Sequence, residues 1–163
     1  MARTTLRFRD ALEVLSRHRV DFIVVGGVAA VLNGAPISTF DLDVVHSRAP
    51  DNLDRLMGAL SDLDARYRDQ TGRDLWPVTA LLAGDGHHLM ITKHGPLDRL
   101  GTIGRGHGYD ALIGEVVEQP IGEHRIRLLS LGALIRIKEE TARDKDRAVL
   151  AILRRTLAER GQA

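Results

Sequence analysis

Two aspartates two residues apart, Asp41 and Asp43, stand in the run Asp41-Leu42-Asp43-Val44-Val45. On a strand, residues with this spacing project from one face, so both carboxylates emerge together while Leu42 and Val44 pack behind them. Adjacent carboxylates repel unless a cation lies between them or one takes up a proton. A divalent cation is the simplest partner, and all-oxygen ligation favours Mg²⁺, with Mn²⁺ as the alternative. Gly26-Gly27 lies upstream, where an apolar strand gives way to a short helix, and backbone amides at such a junction make an anion site. Acids for a metal beside amides for a phosphate tail are what a metal–nucleoside triphosphate requires.

Further residues extend this constellation. Asp98, in Leu97-Asp98-Arg99-Leu100, is a third acid flanked by apolar residues, with Arg99 as the competing partner for a merely solvated hairpin carboxylate. Leu131, Leu134, Ile135 and Lys138 share one helix face, so Lys138 continues an inward stripe and must either reach water or meet an anion. Arg143 and Lys145, at a helix start, could touch phosphate or an acceptor, while Asp146 suits the positive end of that helix. His87, His88, His94 and His107 lack zinc-ligand spacing, and with no cysteine in the chain they read as loop histidines. His46 falls on the Leu42–Val44 face, away from the acids. There is no Gly-x-Ser-x-Gly elbow, no P-loop and no dinucleotide glycine pattern.

The elements that must position these residues follow from periodicity. Thr4 to Arg19 is predicted as an amphipathic helix with Phe8, Ala11, Leu12 and Leu15 on one face and an arginine-rich opposite face. Val20 to Val25 gives a β-branched strand, and Val28 to Leu32 a short helix ended by Asn33-Gly34. After the acidic strand, Ala49-Pro50-Asp51-Asn52 starts a helix that Asp51 or Asn52 could cap, with Leu53, Leu56, Met57 and Leu60 inward. This alternation predicts at least two strands brought parallel by crossovers. Tyr67 to Ala80 reads as loop with one short strand. His88–Thr92 and Leu97–Leu100 form a hairpin, and the glycines at 101, 104, 106 and 108 a mobile connection or lid. Short strands Val116–Glu118 and Arg125–Leu129 follow, then a helix Leu131–Thr141 capped by Ser130 and a last helix from about Asp144 to Glu159.

Composition narrows the class. A chain of 163 residues, 44% hydrophobic and 28% charged, supports one globular domain over 1–163, with a core at about 20–130 and C-terminal helices at 130–160. Absence of cysteine excludes disulfides and thiolate chemistry and makes the cytoplasm the expected compartment. The Phe22–Leu32 run is too short to span a bilayer, so no membrane role is expected. A net charge of +1 and 4% aromatic residues argue against a nucleic-acid coat or a base-stacking platform.

Together the motif residues resemble the nucleotidyltransferase superfamily, the DNA-polymerase-beta-like palm. Its pattern is an apolar residue, Gly, Gly or Ser, a spacer, then Asp-apolar-Asp/Glu-apolar. Val25-Gly26-Gly27, a spacer of thirteen residues, and Asp41-Leu42-Asp43-Val44 fit it at the long end of the spacer range. Small bacterial members, including toxins of the abortive-infection type, are similar in carrying Arg-x-Thr-x-Asp-apolar-Asp, a late apolar-Lys helix and an Arg-x-Lys-Asp segment. Thr39, Ile135-Arg136-Ile137-Lys138 and Arg143-Asp144-Lys145-Asp146 match, whereas Ile37 stands where those relatives carry Arg.

The resemblance implies an α/β (α+β) domain, a mixed β-sheet flanked by helices in the palm arrangement. It implies transfer of a nucleotide from an NTP such as ATP to RNA, a protein or a small molecule, with an antitoxin as a possible partner. Asp41, Asp43 and Asp98 would be the catalytic, metal-holding acids. Gly26, Gly27, Thr39, Lys138 and Lys145 would meet the nucleotide. The competing expectations are an inactive regulatory or binding module of the same fold, which Ile37 keeps open, and a phosphate- or metal-binding enzyme of unrelated chemistry.

Overall fold

The computed structural model describes residues 2–68 and 75–161, with side chains from Phe8 onward. The N-terminal helix α1 (Ala2–Arg17) buries Phe8, Ala11, Leu12 and Leu15, the stripe expected from spacing. Side chains of Arg3 and Arg7, on its basic face, and the loop Gln70–Arg73 lie outside the described residues.

Strand β1 (Phe22–Val25) is buried at every position and leads directly into helix α2 (Gly26–Leu32). The two glycines therefore open the helix rather than precede it. Strand β2 (Leu42–His46) carries Asp43, and helix α3 (Pro50–Asp62) follows, with Pro50 in its first turn. Neither Asp51 nor Asn52 caps α3; Ala49 is the N-cap and makes no side-chain cap bond. Asn52 is buried, where its amide instead donates to the Ser47 carbonyl at 2.7 Å and accepts from the Asp21 amide at 2.7 Å, tying α3 to the entry of β1.

Next come β3 (Arg66–Tyr67), α4 (Thr79–Leu82), β4 (His87–Thr92) and β5 (Gly95–Leu100). The glycine-rich connection is an ordered ribbon of β6 (Thr102–Ile103) and β7 (His107–Gly108), not a featureless loop. It docks on the end of a later helix, where the Glu140 carboxylate accepts from the Arg105 amide at 3.1 Å and lies 2.8 Å from His107 Nε2. Then α5 (Tyr109–Leu112), β8 (Val116–Ile121) and β9 (His124–Leu129) lead to α6 (Leu131–Glu140). Ser130 caps α6 as predicted, its hydroxyl accepting from the Ala133 amide at 3.2 Å. A short 3-10 turn at Asp144–Asp146 precedes α7 (Arg147–Gly161), which starts three residues later than expected.

Seven strands form one sheet in the order β3-β4-β5-β2-β1-β9-β8. The pairs β2–β5 and β1–β9 are parallel, and the rest antiparallel. β1 and β2, joined through α2, thus run antiparallel; the parallel crossovers come later than the early helix–strand alternation suggests. α1 packs on α3, α2 on α6 and α6 on α7. The acidic strand is the fourth of seven, so Asp43 sits on a central strand and not on an edge. Among the described residues no helix is long and apolar enough to cross a membrane.

Candidate active site at the centre of the sheet

The parallel register of β2 and β5 sets Asp43 directly beside Asp98. Paired residues of adjacent strands share a face, so these two carboxylates are neighbours across one strand spacing, roughly 4.8 Å. Asp41 stands just before β2, half-buried, and adds its negative charge to the pair. Two acids from separated segments thus meet at the middle of the sheet, with the charge of Asp41 close by.

Their environment is unfavourable for so much negative charge. The Asp43 Oδ1 atom is buried with no hydrogen-bond partner among the described residues. Burial, reinforced by Asp98 and then Asp41, pushes the Asp43 carboxyl up from 3.8 to about 7. Burial also raises Asp98, against the opposing pull of the Arg68 guanidinium, which is bonded to its Oδ1. Two like charges in contact titrate as a unit, so a proton taken up here belongs to the pair.

The diglycine exists to let this cluster close up. Gly26 has φ +65°, and a Cβ there would run into the Asp43 carboxylate. A Cβ on Gly27 would come within 2.8 Å of the Thr39 Cβ. The Thr39 hydroxyl in turn donates to the Asp41 carbonyl at 3.4 Å, so Gly26, Gly27, Thr39, Asp41 and Asp43 form one tightly packed corner. α2 starts there with no side chain capping its first amides.

A hollow of about 370 Å³ opens beside that corner. Val25, Gly26, Gly27, Ser38 and Asp43 line its sheet side; Leu134, Ile137 and Lys138 of α6 and Val149 and Leu153 of α7 line the other. Ile37 adds to the apolar wall and Ile103 brings the β6–β7 ribbon to the rim.

No protein-family model and no curated protein matches this sequence. Solved structures do match in shape. One, from Thermotoga maritima and assigned provisionally to the nucleotidyltransferases, superposes with a TM-score of 0.59 at 14% identity, covering 98% of this chain and 95% of its own. The complex of ANT(2'')-Ia with adenylyl-2''-tobramycin gives 0.57 at 15%, over 98% and 92%. The solution structure of the same antibiotic-resistance factor gives 0.53 at 14%, over 99% and 94%. The chain has a nucleotidyltransferase fold.

Within the nucleotidyltransferase fold, the predicted residues separate into two groups. Asp43, Gly26, Gly27 and Lys138 line the hollow; Asp98, Asp41 and Thr39 are in or against the acidic corner. Lys145 is exposed and does not line the hollow. Lys138 has a protein partner, its Nζ lying 3.4 Å from Asp146 Oδ1. Asp146 therefore does more than favour a helix end: it also accepts from the Arg143 amide at 2.9 Å and fixes the turn before α7. The partner of Asp98 is Arg68, not Arg99.

Arg99 points to the opposite face of β5, fully buried, with Nη1 3.4 Å from His46 Nε2. His46 is also fully buried, and its Nε2 donates to the Leu82 carbonyl at 3.0 Å. Strand alternation contains the signal for Arg99, because a residue beside an inward acid on a central strand has only the other interior face to occupy. Nothing local to Arg68 signals its role, which depends on pairing across β4.

Among the described residues no three acids or histidines converge as a ready-made cation cage. The donor set nevertheless suits a hard dication: oxygen atoms only, one of them buried without a partner, on acids whose ionised forms are disfavoured by one another.

Proposed function

We propose that the protein is a metal-dependent nucleotidyltransferase that moves a nucleotide from an NTP to an acceptor hydroxyl and releases pyrophosphate. One observation carries the reading: Asp43, which lines the hollow, is paired in register with Asp98, and its Oδ1 is buried and unpartnered among the described residues. Asp41, Asp43 and Asp98 would hold Mg²⁺ or Mn²⁺. When bound, the dication neutralises the acids and polarises the phosphate oxygens.

The chain's own residues supply the rest. Gly26 and Gly27 keep the start of α2 packed against Asp43 and Thr39, and the first amides of α2, with no side-chain cap from Val25, are the phosphate contacts of this scheme. Lys138, on the hollow's far wall, exchanges Asp146 for a phosphate oxygen. The hollow is of a size for a nucleoside, with Ser38, Asp43, Lys138 and Thr141 as its polar side chains. Asp98 takes the proton of the acceptor hydroxyl; the freed oxygen bonds to the α-phosphorus, and the bond to the bridging oxygen breaks, its electron pair leaving with pyrophosphate.

ATP is the first donor to try, since the ANT(2'')-Ia complex contains an adenylyl group. RNA, proteins and small molecules are the acceptor classes. The toxin role and its antitoxin partner rest on the Thr39, Lys138 and Arg143–Asp146 segments. A second reading, an inactive binding module, is favoured by Ile37, which lines the apolar wall where the family resemblance implies an arginine.

The test is label transfer from each radiolabelled NTP into total cell extract with Mg²⁺. Asp43→Asn is expected to lower transfer by roughly a hundredfold or more while the circular dichroism spectrum stays unchanged. Full activity in that variant rules out the metal assignment.

A further inference from the structure

Arg68 continues the strand ladder just past β3, its amide donating to the Leu89 carbonyl at 3.0 Å. Leu89 is paired with Asp98 across β4 and β5. This register carries the arginine over β4 on the acidic face, and its guanidinium ends on Asp98 Oδ1. The Asp98 side chain is 13% exposed and the Arg68 side chain 35%, so the bond closes the solvent side of the site. Other cations nearby are engaged elsewhere: Lys138 on Asp146, and Arg66 over the Trp76 ring at 5.7 Å. Among the described residues Arg68 is the cation paired with the site's acids.

We infer that Arg68 is the counter-cation of the metal-free site, holding Asp98 until a dication displaces its guanidinium, so that arginine and metal compete for one carboxylate. The inference rests on the metal-dependent reading above. Two carboxylates and a third nearby repel, and a proton or a positive charge relieves that repulsion. Arg68 supplies it from the protein, in the planar form that suits a carboxylate oxygen. A dication between Asp43 and Asp98 supplies the same charge more closely and repels a guanidinium on the same carboxylate. The long, partly exposed side chain can leave without disturbing the strands. Arg68 is a positioning residue in this scheme: it keeps Asp98 aimed across the strand pair and sets the concentration of metal needed to load the site.

The experiment measures Mn²⁺ alone, by the electron paramagnetic resonance signal of the free ion, on the full chain. Arg68→Ala is expected to bind Mn²⁺ about fivefold tighter or more, and Arg68→Lys to stay near the unmodified protein. In chelator, Arg68→Ala should also melt at a lower temperature, with added Mn²⁺ removing the deficit. Equal Mn²⁺ affinity in the unmodified protein and Arg68→Ala overturns the competition. If the unmodified protein binds Mn²⁺ in a way that Asp43→Asn abolishes, that failure touches Arg68 only. If Asp43→Asn binds Mn²⁺ as well as the unmodified protein, or none of the variants binds it, the metal reading itself falls and the inference with it.

Discussion

Asp98 and Arg99 are adjacent in sequence and sit on opposite faces of one strand, each buried and each charged. Asp98 has Arg68, but Arg99 has no acid: its contacts are His46 and the Tyr67 hydroxyl, and its Nε and Nη2 lack partners among the described residues. Burial pulls its guanidinium down to about 10. A buried cation paired only with neutral groups costs more desolvation than those contacts return. Arg99→Met is therefore expected to raise stability by about 1 kcal/mol or more, seen as a higher urea midpoint. A lower midpoint would mean that the guanidinium is favourable overall. At this scale the sequence was partly readable. Asp43 was legible from strand alternation, which is local, whereas Asp41, expected on the same strand, falls just before β2. The Arg68–Asp98 pair did not, because it is set by register over three strands.

Elements were easier to read than their junctions. The stripe Phe8, Leu12, Leu15 and the buried run Phe22–Val25 are dictated by periodicity and burial, and they appear where expected. What spacing could not supply was why two glycines are needed before Val28. The answer is packing at a distance: Gly26 makes room for Asp43 and Gly27 for Thr39. The second glycine gives a clean test, since its φ is ordinary and any cost is purely steric. Gly27→Ala drives a methyl to within 2.8 Å of Thr39 Cβ, forcing the β2 entry away from α2. The expected loss is about 1–3 kcal/mol in thermal or urea unfolding, and the proposed nucleotide transfer should fall with it. Unchanged stability would show that Thr39 can yield and that the corner is loose. The β6–β7 ribbon was misread for a related reason, since glycines that look like a flexible linker are held down by Glu140 at the end of α6.

For the whole molecule, two buried groups on opposite faces of the sheet titrate against each other. Asp43 rises from 3.8 to about 7, because burial and then Asp98 and Asp41 disfavour its charge. Its contribution to stability is complete below the unfolded value and is lost as pH climbs through about 7. His46 falls from 6.5 to about 4, chiefly through burial, with Arg99 adding to the shift. Its contribution is complete above 6.5 and is lost as pH drops through about 4. Between these limits the two slopes have opposite sign, so in chelator the native protein gains little from either direction. Asp43→Asn removes one slope and leaves the other. The stability of that variant relative to the unmodified protein is expected to increase from pH 4.5 and level off above about 7, by up to ~3 kcal/mol. With saturating Mn²⁺ the difference should reverse if Asp43 holds the ion as proposed, because binding would then stabilise the unmodified protein alone. Melting both proteins across that range, in chelator and in Mn²⁺, measures it; a difference independent of pH would mean that Asp43 is ionised throughout and carries no proton in the metal-free state.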